Sequence, residues 1–188
     1  YHLGFNIQGS GIEYKPGDCF GIIPYNDPVI VDKVLSLLGA TGDEEVMVTR
    51  KQETYLLREF LYSYANISRI TKKFVEKMYS LQKDKKKKAV LEVLLGDGEV
   101  LKIYIETHEL CDLLAENEGV LLPLSFLADH ARMLTPRLYS VASAMSAVGE
   151  ELHLTIGLVT YDTNDVKRYG VATRFLCHNA LLHNKNIK

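Results

Sequence analysis

Arg137-Leu138-Tyr139-Ser140-Val141-Ala142-Ser143 is the stretch on which the reading of this chain turns. In an extended segment alternate side chains share a face, so Arg137 and Tyr139 project together while Leu138 meets other surroundings. A guanidinium beside an aromatic face suits a phosphate carried on a planar ring. Arginine supplies charge and a fork of donors that matches phosphate oxygens, and tyrosine supplies a flat apolar wall with a polar tip. Ser140 adds a hydroxyl able to hydrogen-bond at the ring's edge.

Further along, Gly170-Val171-Ala172-Thr173 offers the other half of a phosphate site. Gly170 permits close backbone approach, and Thr173 reads as the N-cap of a helix through Arg174, Phe175, Leu176 and Cys177 to Leu182. Free amides at such a helix start attract an anion. Between the two motifs, Leu152, Leu154, Ile156 and Leu158 alternate with His153, Thr155, Gly157, Val159 and Tyr161, which predicts one half-buried strand from Leu152 to Tyr161. Gly157 leaves room on its polar face for a planar ligand. Arg-x-Tyr-Ser alone would be read as a surface strand with a stacked Tyr and Arg. Three elements in order, at spacings able to surround one ligand, point to a site.

Several further stretches are similar to one family. Tyr14-Lys15-Pro16-Gly17-Asp18, Gly21-Ile22 and Asn26-Asp27-Pro28 resemble the opening strand, turn and first helix of the FAD-binding domain of the ferredoxin-NADP reductase superfamily, in its diflavin reductase branch. Leu122-Pro123-Leu124 and Leu134-Thr135-Pro136-Arg137-Leu138-Tyr139-Ser140 resemble that family's approach to the flavin. The likeness runs along almost all of the chain. Within the branch, Val148-Gly149-Glu150-Glu151-Leu152-His153-Leu154-Thr155 is most similar to the sulfite reductase flavoprotein subunits. Gly170-Val171-Ala172-Thr173 looks equally like the reductases that serve haem monooxygenases.

The resemblance implies a β-barrel plus α fold: an antiparallel six-stranded FAD-binding barrel from residues 1–52 and 135–188, interrupted by an all-helical insert at 53–134. It also implies an NADPH-dependent oxidoreductase in which FAD takes a hydride from NADPH and releases electrons singly to FMN, then to a haem or iron-sulfur acceptor. The cofactor carries such chemistry, and the protein supplies binding, orientation and electrostatics. Carried over by residue, Arg137 grips the pyrophosphate, Tyr139 packs on the flavin and ribityl region, and Ser140 lies near the reactive ring nitrogen as the catalytic residue. Thr155, Ile156 and Gly157 line the flavin, Tyr161 contacts the adenosine end, and Gly170, Val171, Ala172 and Thr173 bind pyrophosphate. The implied partners are an FMN-bearing domain or flavodoxin-like protein and a C-terminal NADP-binding domain. No Gly-rich strand-to-helix fingerprint for the latter occurs before Lys188, and the chain begins without Met, so a piece of a longer protein is expected. In isolation such a piece is expected to hold FAD weakly or not at all.

Composition agrees without pointing to the family. The 188 residues carry 22 Lys and Arg against 24 Asp and Glu, which fits one large domain or a domain with an insert and does not suggest a general nucleic-acid binder. No apolar run approaches the roughly 20 residues of a membrane span, and Tyr1 opens no signal peptide. Cys19, Cys111 and Cys177 are too scattered for a disulfide framework or a zinc site and read as reduced thiols of a cytoplasmic protein. The six histidines show no metal spacing, and no serine sits in a nucleophile elbow.

Pattern predicts short strands up to about residue 27, a helix over Val29–Leu38 ending at Gly39, and a strand over Glu45–Arg50. Amphipathic helices follow at Thr54–Tyr64 and Ile70–Leu81, and Leu110, Leu113, Leu114, Leu124, Leu127, Ala131 and Leu134 continue the helical spacing. Over Ala89–Thr107 local rules favour a hairpin turning at Asp97-Gly98, whereas the resemblance implies helix, and helix is the expectation adopted. Lys83-Asp84-Lys85-Lys86-Lys87-Lys88, with Lys72, Lys73 and Lys77, reads first as a solvated surface. The family's acidic FMN-bearing partner gives the patch a second reading, as a steering surface. A flavin-free docking scaffold is the alternative from another functional class. Arg137, Tyr139, Ser140 and Thr173 argue against it, because a scaffold has no need of that set.

Overall fold

The computed structural model describes residues 1–179, so the expected end of the last helix at Leu182 lies outside them. The elements begin β1 (His2–Asn6), β2 (Cys19–Ile22), α1 (Pro28–Leu38), β3 (Glu45–Val48), β4 (Glu53–Leu56) and a short α2 (Leu57–Glu59) that runs into a π-helical turn, Phe60–Tyr64. Helices α3 (Lys72–Leu81), α4 (Lys85–Gly96), α5 (Gly98–Thr107), α6 (Leu110–Glu116) and α7 (Leu124–His130) follow. The chain then forms β5 (Arg137–Ser140), α8 (Met145–Val148), β6 (Glu151–Thr155), β7 (Thr160–Thr163), β8 (Val166–Tyr169) and α9 (Val171–Arg174), which passes into a second π-helical turn, Phe175–Asn179.

Two compact units result. One comprises Tyr1–Tyr25, Thr135–Asp162 and the chain from Lys167; the other comprises Asn26–Leu134 and the hairpin tip Thr163–Val166. The fold is mixed α/β with small antiparallel sheets, and among the described residues no ring of strand pairings closes a barrel.

In the first unit β1 pairs antiparallel with β6 (Leu3 opposite Leu154, Gly4 opposite His153), and β2 with β5 (Phe20 opposite Tyr139, Ile22 opposite Arg137). A bridge between Val141 and Leu154 links the two pairs, so the neighbours run β1, β6, β5, β2. Leu152, Leu154 and Ile156 turn inward onto Leu3, Ile7, Ile22, Val141, Phe175 and Leu176, while Glu151 and Thr155 face out. This is the predicted alternation, but the strand stops at Thr155 instead of running to Tyr161. Past that point the Val159 backbone bonds to the α9 start, accepting from Gly170 N–H at 3.0 Å and donating to the Thr173 hydroxyl at 3.2 Å, which removes it from any ladder.

The second unit starts at Asn26-Asp27-Pro28, and each residue has a separate task. Buried Asn26 donates its side-chain amide to the Leu61 and Ala65 carbonyls, at 2.7 and 2.6 Å, on the π-helical turn. Asp27 caps α1 by accepting from Val29 N–H, and Pro28 occupies the first turn, where no amide is needed. At the other end Gly39 takes φ 66° and caps the Leu35 and Ser36 carbonyls. Val31, Val34, Leu35 and Leu38 share one core with Val46, Val48, Phe60, Phe74, Leu113 and Leu127, so residues 26–52 pack with the helices.

Two local expectations need correction. Thr54–Leu56 is strand, not helix, because Glu53–Leu56 pairs with β3 (Tyr55 opposite Val46) after a tight turn with Gln52 at φ 56°. The helical stripe holds only from Leu57, through Phe60 and Leu61. The hairpin favoured locally at Asp97-Gly98 is absent, and α4 and α5 take its place as the resemblance implied. Asp97 accepts from the Glu99 and Val100 amides, so a residue that suits a turn here serves as an N-cap. Leu91, Leu94, Leu101 and Tyr104 are buried at helical spacing.

Asp97→Ala is expected to lower unfolding stability by about 1 kcal/mol, the usual cost of losing an N-cap, with Asp97→Asn near wild type. Chemical denaturation checks this, and an unchanged midpoint for Asp97→Ala would show that the cap does not hold α5.

Candidate functional site

Strand β5 is held on one edge and partly open on the other. Val141 donates its N–H to the Asp18 carbonyl at 2.8 Å and accepts from Gly17 N–H at 3.2 Å, whereas Ala142 N–H reaches the His153 carbonyl at 2.9 Å. Backbone groups alternate along a strand, so those of Leu138 and Ser140 face away from β2, toward the β6 side. There the pairing with β6 consists of the single Val141–Leu154 bridge among the described residues.

Side chains alternate as well. Arg137 and Tyr139 lie on the face that carries Ile22 and Phe20, while Leu138 and Ser140 share the opposite face with Gly21 and Cys19. Tyr139 is half-buried against the core. Burial, and the neighbouring Cys177, push its phenol above the usual tyrosine range, while the Arg137 guanidinium pulls it back. The register thus puts the two side chains on one face of β5, the arrangement that strand alternation predicted. Ser140 is at the end of the strand, exposed, on the other face.

The remaining candidates divide by exposure. Thr155 is exposed at the end of β6, and Tyr161 is exposed on β7. Ile156 buries its side chain in the core, and its backbone exchanges two hydrogen bonds of 2.8 Å with Tyr1. A Cβ built at Gly157 meets nothing within 4 Å, so the space beside it is open. At Gly170 a Cβ would lie 3.1 Å from both Val159 Cβ and Thr173 Oγ1, so this glycine serves packing between the 157–159 segment and α9. Val171 is half-buried and Ala172 buried. Thr173 is not the N-cap, a position that falls to Gly170. The threonine sits inside the helix, where its buried hydroxyl donates to the Gly170 carbonyl at 3.1 Å and accepts from Val159 N–H.

Three residues that pattern did not single out shape this region. Val159 is the partner of both Gly170 and Thr173, and only its place before a turn hinted at that. Arg168, on β8, is the one buried charged residue among those described, and nothing in its sequence context marks it as buried. Arg174 stacks over Tyr169 at 4.3 Å, a pairing whose only signal is the presence of both residues around the Gly170 turn.

The groups present fit a dinucleotide. Arg137, Ser140 and Thr155 expose donors that make no hydrogen bond or ion pair among the described residues. They accompany a half-buried aromatic ring and the open glycine at 157, the chemistry a phosphate-bearing planar cofactor needs. No cluster of His, Cys, Asp and Glu suited to a metal occurs among the described residues, and no described helix is long and apolar enough to cross a membrane.

Comparison with known families identifies the class as flavin-dinucleotide-binding. The family model described as FAD binding domain matches residues 1–175, and the chain belongs to that family. At full coverage of this chain it is 35% identical to the sulfite reductase (NADPH) flavoprotein alpha-component of Vibrio cholerae and 35% identical to that of Photorhabdus laumondii. The Bacillus subtilis alpha-component is 32% identical, also over the whole chain. The chain spans 31%, 30% and 32% of those three relatives, about a third of their length.

The two glycines of this region are expected to respond oppositely. Gly170→Ala should cost roughly 1–3 kcal/mol of stability, as overpacking does, whereas Gly157→Ala should leave the unliganded fold within about 0.5 kcal/mol of wild type. Equal thermal shifts for the two variants would contradict the packing described for Gly170.

Proposed function

We propose that this chain is the FAD-binding module of an NADPH-dependent flavoprotein reductase of the sulfite reductase type, acting in the cytoplasm. The observation that carries the reading is the family match over residues 1–175 combined with an unpaired Arg137 beside half-buried Tyr139. When bound, FAD would supply hydride acceptance from NADPH and single-electron release toward FMN and a haem or iron-sulfur acceptor. The neighbour order β1, β6, β5, β2 supports a place for these strands in a six-stranded antiparallel barrel. The flavin domain would comprise residues 1–52 and 135–188, with 53–134 as its insert.

Arg137 neutralises the pyrophosphate, and Tyr139 walls the ring system on the same face of β5. Ser140 offers its hydroxyl to the reactive ring nitrogen from the end of the strand, where a planar group crossing the open edge can meet it. Thr155 and Gly157 border the ring, with Ile156 contributing from behind through the core. Tyr161 receives the adenosine end. Gly170, Val171, Ala172 and Thr173 shape the α9 start against the pyrophosphate. The NADP-binding domain would follow on the C-terminal side. An FMN-bearing domain or flavodoxin-like protein is the electron-accepting partner. Lys72, Lys73 and Lys77 on α3 and Lys85–Lys88 on α4 form the basic surface toward which its acidic face would be steered.

A yellow full-length protein that releases FAD on denaturation is the expected result, and a colourless preparation that takes up no added FAD would favour the flavin-free scaffold. Arg137→Ala in that protein should lose on the order of 1.5–3 kcal/mol of FAD affinity, the value of a charge-assisted hydrogen bond. Unchanged flavin retention with the fold intact would remove Arg137 from the site.

Ser140→Ala tests chemistry apart from adhesion. A group that acts only in the transition state lowers turnover without equal loss of ground-state binding, so flavin reduction by saturating NADPH should slow more than FAD affinity falls. Anaerobic stopped-flow absorbance measures this. Reduction at the wild-type rate would leave Ser140 as a strand hydroxyl.

A further inference from the structure

The outer edge of β6 is finished by side chains. Ile156 exchanges bonds with Tyr1, and Ile7 N–H donates to the Glu150 carbonyl, so the backbones of Glu151 and His153 point away from β1. Ala142 N–H takes the His153 carbonyl, and there β5 departs. Of the three groups that remain, the His153 N–H and the Glu151 carbonyl are met by hydroxyls. Ser143 Oγ accepts from His153 N–H at 3.0 Å, and the Tyr14 hydroxyl donates to the Glu151 carbonyl. Since the tyrosine proton is committed to that carbonyl, the 2.7 Å contact between Tyr14 and Ser143 is donated by the serine. A directed chain runs from His153 N–H through Ser143 and Tyr14 back to Glu151 C=O. Ser143 is 7% exposed and Tyr14 9%, so neither water nor another partner readily replaces them.

We propose that Tyr14 and Ser143 are positioning residues for the cofactor: their hydroxyls stand in for a strand at the point where β5 leaves β6 and so fix the orientation of Arg137, Tyr139 and Ser140. The inference rests on the flavin-binding reading above. Three separate segments meet in this latch, the turn before β2, the end of β5 and the middle of β6, and the turn before β2 also receives Val141 through Asp18 and Gly17. Loss of either hydroxyl leaves a part-buried backbone group unpaired beside the root of the site.

The test uses the full-length FAD-loaded protein with Ser143→Ala, Tyr14→Phe, the double variant, and Ser143→Thr, which keeps the hydroxyl. The FAD dissociation constant is expected to rise about tenfold in each single variant and little further in the double, because both break one chain. The visible circular dichroism of the bound flavin should change in step, and Ser143→Thr should restore both. Leu3→Val, a core change in β1, supplies a comparison in which stability falls while the flavin signal holds. Unchanged affinity and dichroism in both single variants of a loaded wild-type protein overturn the inference alone. A wild-type protein that takes up no FAD overturns the flavin reading and this inference with it. Should Ser143→Ala fail to fold, Tyr14→Phe, which keeps the ring in the core, carries the same comparison.

Discussion

A strand has two edges, and every buried amide and carbonyl along both must find a partner. In the first unit this constraint falls on the stretch from Arg137 to Ser143, which lies against β2 along one edge and, among the described residues, bonds to β6 through Val141, Ala142 and Ser143 on the other. The pairing with β2 places Tyr139 opposite Phe20 and Arg137 opposite Ile22. The early departure from β6 leaves the outer backbone of Leu138 and Ser140 without a neighbouring strand among the described residues. The incomplete sheet leaves room for the proposed site, with charged Arg137 on an exposed strand while aromatic Tyr139 leans on the core.

Core packing and the proposed cofactor contacts would draw on the same few residues and divide them. Alternation on β6 commits Leu152, Leu154 and Ile156 to the interior, which leaves Thr155 as the hydroxyl that can face outward. On β5 the same rule sends Tyr139 and Ser140 to opposite faces, so a planar group touching both must cross the strand's open edge. The constraint is geometric, and no choice of rotamer relaxes it.

Much of this was legible in the sequence, for identifiable reasons. Helix α1 was legible because Val31, Val34, Leu35 and Leu38 supplied the periodicity and Gly39 marked the end, whereas the Asp27 cap and the start at Pro28 came from the structure. The pairing of Arg137 with Tyr139 followed from strand alternation alone. Where reading failed, the deciding partner was distant in sequence. Glu53–Leu56 became strand because β3 lay beside it, and β6 ended at Thr155 because α9, still to come in the chain, bound the Val159 backbone. Asp97-Gly98 shows a different difficulty: aspartate serves turns and N-caps by the same hydrogen bond, and only the buried Leu91, Leu94, Leu101 and Tyr104 choose between them.

Thr173 brings these strands of reasoning to one atom. Its side chain has a single proton, and that proton is directed at the Gly170 carbonyl while the oxygen receives Val159 N–H. A phosphate at the α9 start could take the proton only if the Gly170 carbonyl gave it up, whereas the bond from Val159 could persist, since the oxygen accepts it independently. The hydroxyl is therefore able to tie the 157–159 segment to the helix and to greet an anion in turn. What the anion would displace is one internal hydrogen bond, worth roughly 0.5–1.5 kcal/mol, against a charge-assisted bond of about twice the strength. The exchange would favour the ligand by a small margin, so under the proposed function Thr173 would contribute more to the shape of the site than to its affinity, and the larger electrostatic share would fall to Arg137.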